Sequence, residues 1–140
     1  MNILLAVDGS TYTKKMLAYL AAHDEMLGSS HTYTAITVQP ALPPRARAAL
    51  GKETVDSYYA DEGEKVLSPV VKFMGPHGVQ PKTMTKVGPA GETIAKVAES
   101  GKYDLVVMGT HGHGSLGKLV MGSVSTQVLA NCTVPVLLVR

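Results

Sequence analysis

A chain of 140 residues with 45% apolar side chains is long enough for one packed domain, and its 13 basic against 11 acidic residues leave a formal charge of only +2. Such a domain buries roughly 68% of its unfolded surface, which excludes disorder as the reading, and scattered, nearly balanced charge speaks against nucleic-acid binding. Cys132 stands alone, so an internal disulfide and a thiolate zinc cluster are ruled out, and no apolar run approaches the ~20 residues that span a bilayer.

Residues 2–7 form a short continuous apolar run, the pattern of a strand buried on both faces of a parallel sheet. Asp8, Gly9 and Ser10 end it, and the Ser10 hydroxyl suits the cap of a helix. Met16, Leu17, Leu20, Ala21 and Leu27 recur at helical spacing until Gly28 closes the segment. Residues 31–38 are β-branched and aromatic enough for a second strand. The stretch 39–52 holds Pro40, Pro43, Pro44 and Gly51, with Arg45 and Arg47, and reads as an excursion. A long helix is expected over 53–73, with Val55, Tyr58, Tyr59, Val66, Val70 and Phe73 inward and bent or split at Pro69.

Gly75, Pro76, His77 and Gly78 predict a turn, and 79–87 a third strand. Pro89 opens a helix carrying Ile94, Val97 and Ala98, which Gly101 ends. Residues 105–108 read as a fourth buried strand, followed by a glycine-rich loop to Gly122, a helix over 123–131 and a last strand over 134–139. This alternation predicts an α/β domain spanning 1–140: a single open five-stranded parallel sheet, Rossmann-like, with helices on both faces. In such sheets ligands bind beyond the carboxyl ends of the strands, where the winding reverses. A first strand opening at residue 2 leaves no room for a signal peptide, and a cytoplasmic protein is the expectation.

Three glycine templates compete for the loop after Met108. Gly112, Gly114 and Gly117 fit the dinucleotide fingerprint G-x-G-x-x-G, but that motif should open a βαβ unit and precede a ribose-binding acid by ~20 residues. Only one strand follows here, with no acid near its tip. Gly112, Gly117 and Lys118 match most of a Walker A loop, yet Leu119 stands where a magnesium-binding hydroxyl is required. The third template fits throughout: Gly109, Gly112, a nine-residue interval, then Gly122 and Ser123.

This G-2x-G-9x-G-S/T spacing resembles that of the ATP-binding universal stress proteins. The likeness runs over nearly the whole chain, through residues 6–10, the strand ending at Val38, 105–112, 122–125 and the terminal 134–140. The resemblance implies the adenine nucleotide alpha hydrolase-like version of the fold and places Asp8 beside the adenosine, with Ala6 contributing backbone. It puts Val38 at the adenine. Met108, Gly109, Thr110, His111, Gly112, His113 and Gly114 then supply the phosphate and ribose loop, and Gly122, Ser123, Val124 and Ser125 its second half.

The chemistry is coherent. Glycines let the backbone turn with positive φ and approach phosphate oxygens closely, and successive N–H groups form an anion site. Gly122 and Ser123 place further donors at the positive end of a helix dipole. His111 and His113 invite a metal reading, but further ligands are missing, so a magnesium or manganese ion is expected only as one carried by the triphosphate. Lys118 reads as a solvated residue or as charge beside the phosphates.

No nucleophile and base pair and no close carboxylates stand out. The expected function is an ATP-binding sensor or adaptor of the stress response rather than an enzyme, with hydrolysis at most slow. A slow ATPase and a stress-protein dimer independent of nucleotide are the alternatives. No nucleic-acid or membrane partner is expected. The apolar strand 134–139, as the last element, should lie at a sheet edge and invites pairing with its own copy in a homodimer. The resemblance points to the same antiparallel arrangement.

Overall fold

In the computed structural model, which describes residues 1–112 and 121–140, a five-stranded parallel sheet runs in the order β3-β2-β1-β4-β5. The strands are β1 (Asn2–Ala6), β2 (Thr32–Gln39), β3 (Lys82–Val87), β4 (Leu105–Gly109) and β5 (Val136–Val139). The helices are α1 (Thr11–Ala21), α2 (Pro44–Leu50), α3 (Lys52–Met74), α4 (Ala90–Ser100) and α5 (Ser123–Asn131).

Alternation along β1 sorts the core into two halves, because successive side chains leave a strand on opposite faces. Ile3, Leu5 and Val7 pack with Met16, Leu17 and Leu20 of α1 and with Leu67, Val70 and Met74 of α3. Leu4 and Ala6 pack on the other face with Ile94 and Ala98 of α4 and Val128 of α5. The chain therefore winds one way from β1 to β3 and the other way from β4 to β5. The reversal falls between β1 and β4, whose paired residues run from Ile3 with Leu105 to Ala6 with Met108.

Several local expectations are corrected. α1 stops at Ala21, not Gly28, because the His23 ring donates from Nδ1 to the Tyr19 carbonyl at 2.7 Å and satisfies the last turn. Leu27 is buried all the same, folded back from the turn beyond the helix. The excursion contains α2, which has Pro44 in its first turn and buries none of its residues. Gly51, at φ 82°, separates it from α3.

α3 is one helix across Pro69 and is not split there. Pro69 is exposed, as is Lys65, so the carbonyl deprived of its N–H partner faces water. Leu67 and Met74 take the inward positions expected of Tyr58 and Phe73, which are 43% and 36% exposed. β3 begins at Lys82 and not at Val79, after the turn at 75–77. It is a largely exposed edge strand with Lys82 and Lys86 on it, and such lysines discourage edge-to-edge pairing.

β5 forms the opposite edge, as expected. Its entry is fixed by Glu99 at the end of α4, whose Oε1 accepts from the Thr133 amide at 2.5 Å and from the Thr133 hydroxyl at 2.6 Å. These two bonds, the hydroxyl's first, hold the Glu99 carboxyl below its ordinary range. A lowered folded-state value means a contribution present above the ordinary glutamate pKa and lost as pH falls through the lowered one. Thermal melts between about pH 5 and about pH 3 should therefore lose stability more steeply for the wild type than for Glu99→Gln. Equal slopes would show that the staple contributes nothing.

Candidate functional site

A cavity of about 230 Å³ opens where the winding reverses. Ala6, Val7 and Asp8 at the end of β1, Val38 of β2, and Met108 and Gly109 of β4 form its floor. His111 and Gly112 continue the wall, and Gly122, Ser123, Val124 and Ser125 close it from the start of α5. All of these except Val7, eleven residues, were singled out in the sequence, and they line one cavity. Thr110 is buried just behind it, while His113 and Gly114 lie outside the described residues.

Thr110 pins the two halves of the motif together. Its carbonyl accepts from the Gly122 amide at 2.7 Å and from the Ser125 hydroxyl at 2.7 Å, and its own amide donates to the Val139 carbonyl at 2.9 Å. One residue thus ties the end of β4 to α5 and to β5. The first bond of the α5 ladder runs from the Thr126 amide to the Gly122 carbonyl at 3.1 Å. The N–H groups of Ser123, Val124 and Ser125 precede it and find no acceptor within the helix, which makes this end a ready anion site.

The glycines do not serve as the sequence suggested. Among the described glycines only Gly9, Gly51, Gly78 and Gly88 have positive φ, so Gly109 and Gly112 are not there for a left-handed turn. Close approach explains them instead. A Cβ on Gly109 would stand 2.6 Å from the Cβ of Tyr12, and one on Gly112 would stand 2.5 Å from Oδ2 of Asp8. Gly122 has φ −78° and ψ 169°, a conformation open to any residue. It is a buried residue of the cavity lining, and its glycine answers no backbone demand.

Asp8 is held from several sides. Its Oδ1 accepts from the Ser10 amide at 2.9 Å and from the Thr13 hydroxyl at 2.9 Å, while its own amide donates to Thr13 Oγ1 at 3.1 Å. The His111 ring packs against Tyr12, centroids 4.8 Å apart, and shares a 2.9 Å hydrogen bond through Nδ1 with the Thr110 hydroxyl. Lys15 places its ammonium 5.0 Å from the centre of the Tyr12 ring.

Val7, Thr13, Ala90 and Ile94 also line the cavity and were not anticipated. The signal for the last two lay in the topology, since a helix leaving β3 must begin at the same end of the sheet as the site. Among the described residues no group of three or more histidine, cysteine or acidic side chains could hold a metal, and no helix is long and apolar enough to cross a membrane.

The whole chain, residues 1–140, matches the model of the universal stress protein family. A universal stress protein of Thermus aquaticus is 32% identical over 143 residues, covering 99% of this chain and 98% of the relative. Universal stress protein Slr1230 of Synechocystis is 32% identical over 139 residues, and there the chain spans 99% of its own length but only 42% of the relative's. The fold superimposes on universal stress protein UspA from Lactobacillus plantarum with a TM-score of 0.81, at 21% identity, over 100% of this chain and 97% of that one. Two further structures of the same fold carry nucleotides. An Arabidopsis thaliana family protein with AMP bound gives a TM-score of 0.70 at 17% identity, over 99% of this chain and 90% of that one. The Archaeoglobus fulgidus protein in complex with dAMP gives 0.70 at 17%, over 100% and 98%. With the glycine spacing, the sheet order and the whole-length match in agreement, this chain belongs to the universal stress protein family.

Proposed function

We propose that the cavity binds an adenine nucleotide, with ATP as the working ligand and a magnesium or manganese ion carried by its triphosphate. The observation that carries this reading is the meeting of three strand ends with the N-terminus of α5 in one cavity. Its volume is somewhat below the ~300–1,000 Å³ of small-molecule sites, which suits base and sugar inside and phosphates running out along the glycine loop. Val38, Met108 and Ile94 offer an apolar bed for the base, and the first turn of α5 offers N–H donors to phosphate. The AMP and dAMP complexes of the two neighbouring structures support the same ligand class.

The protein acts, on this reading, as a nucleotide-dependent sensor or adaptor in the cytoplasm with hydrolysis at most slow, since the lining groups of base type are engaged in the fold, Asp8 with Ser10 and Thr13 and His111 with Thr110. Turnover measured beside a Ser123→Ala control separates this from a genuine ATPase. Denaturing the purified protein and identifying the released small molecule by mass spectrometry tests the ligand directly. ATP, or its diphosphate, is the expected species. A protein that neither carries an adenine nucleotide nor takes one up on incubation would overturn the reading.

The assembly proposed with it is a homodimer through β5. Val136, Leu137 and Leu138 are only half-buried at this edge, and pairing with a second copy would cover them.

A further inference from the structure

Thr13 lies in the third helical position of α1, where the side chain of a capping box ordinarily reaches back to the amide of the cap residue. Half of that arrangement is present: the Ser10 hydroxyl accepts from the Thr13 amide at 3.4 Å. The return bond goes elsewhere. Thr13 Oγ1 reaches past Ser10 to Asp8, accepting from its amide at 3.1 Å and donating its one proton to Oδ1 at 2.9 Å. The Ser10 amide, left by the box, donates to the same oxygen at 2.9 Å.

The start of α1 is thus organised around the carboxylate and not around its own cap. A carboxylate rotates freely about its last torsion unless something fixes it. Two donors on Oδ1, one of them tied back to the Asp8 backbone, fix it here. The consequence is a set position for Oδ2, on the side of Gly112, where there is no room for a Cβ. Thr13 is 6% exposed and lines the cavity, and among the described residues its hydroxyl bonds only to Asp8.

An ionised carboxylate only accepts, and each of its oxygens accepts more than one bond. Beside a phosphate loop it repels the phosphates, and with the base on the apolar bed of Val38, Met108 and Ile94 the donors left to it are the sugar hydroxyls. We infer that Thr13 is a positioning residue that sets Asp8 to read the ribose hydroxyls, so that the site distinguishes ribonucleotides from deoxyribonucleotides. This rests on the nucleotide reading above.

The test is calorimetric titration of the full chain with ATP and with 2′-deoxy-ATP. Hydrogen bonds to charged groups are worth enough for about a tenfold preference for ATP in the wild type. Thr13→Val keeps the shape and removes the hydroxyl. It should weaken ATP about tenfold and 2′-deoxy-ATP, which keeps only the 3′-hydroxyl, by clearly less, so that the preference shrinks. Thr13→Ser should restore it. Thr13→Ala removes the same hydroxyl with a smaller side chain and serves if the valine variant does not fold. A folded variant without the hydroxyl that keeps the tenfold preference, or that loses both ligands equally, overturns the role of Thr13 while nucleotide binding stands. A wild type that binds neither ligand overturns both readings at once.

Discussion

Saturating ATP with magnesium should raise the melting temperature of this protein by on the order of 10 °C. A ligand that binds only the native state stabilises it by RT ln(1 + [L]/Kd), which for millimolar nucleotide over a micromolar Kd is about 4 kcal/mol. In a domain of this length each kcal/mol moves the transition by roughly 3 °C. Gly122→Val should abolish most of that shift. Its backbone conformation suits valine, and its amide bond to the Thr110 carbonyl at 2.7 Å survives the change, so the fold should persist. The new side chain adds bulk at a residue that lines the cavity at the start of α5. Thermal melts with and without ATP, with circular dichroism to check the fold, measure both effects. No shift in the wild type would remove the nucleotide reading, and a full shift in folded Gly122→Val would remove the role given to that glycine.

The second large effect concerns β5. Deleting residues 135–140 should give aggregate or unfolded chain and not a clean monomer. Val139 is 8% exposed and packs in the core beneath α1, with Leu137 against the same cluster and Leu138 against the other. Each such side chain is worth about 1.5–3 kcal/mol, and several together rival the ~5–15 kcal/mol that holds a domain folded. The cut also uncovers β4, whose edge would then be open. In the intact protein, sedimentation at micromolar concentration should give about twice 14.7 kDa. A mass near 14.7 kDa rejects the dimer, and a soluble, folded truncation rejects the structural role of the strand.

The parts of the fold legible in the sequence were those whose environment is uniform. β1 and β4 are flanked on both sides and covered on both faces, so their apolar runs are continuous. β3 has a neighbour on one side only and is mostly exposed, which left its start three residues out of place. α2 buries nothing, so no apolar period could announce it. α3 misled through its aromatics: ring size suggested burial, but Tyr58 and Phe73 project outward, where a long helix over a sheet edge leaves one flank uncovered. At the site, a spacing of glycines was readable because it is local. The reason for the glycines was not, since Tyr12 and Asp8 approach them only in the folded chain. Thr13 escaped for the same reason, and Ala90 and Ile94 arrive from a helix more than fifty residues away from Asp8 along the sequence.

The two borders of the sheet have opposite character, with consequences for how far assembly can go. A two-fold pairing through β5 consumes both copies of that edge at once. What would remain at the rims of the joined sheet is β3, twice over, with Lys82 and Lys86 along each. A third chain would have to bring its own β5 against those ammonium groups, and strip water from them with no acid on β3 in compensation. Growth of the proposed dimer would therefore end after one step. In that dimer the lysines that blurred the reading of β3 would act as a terminator, keeping a sheet with one adhesive border from extending into a fibre.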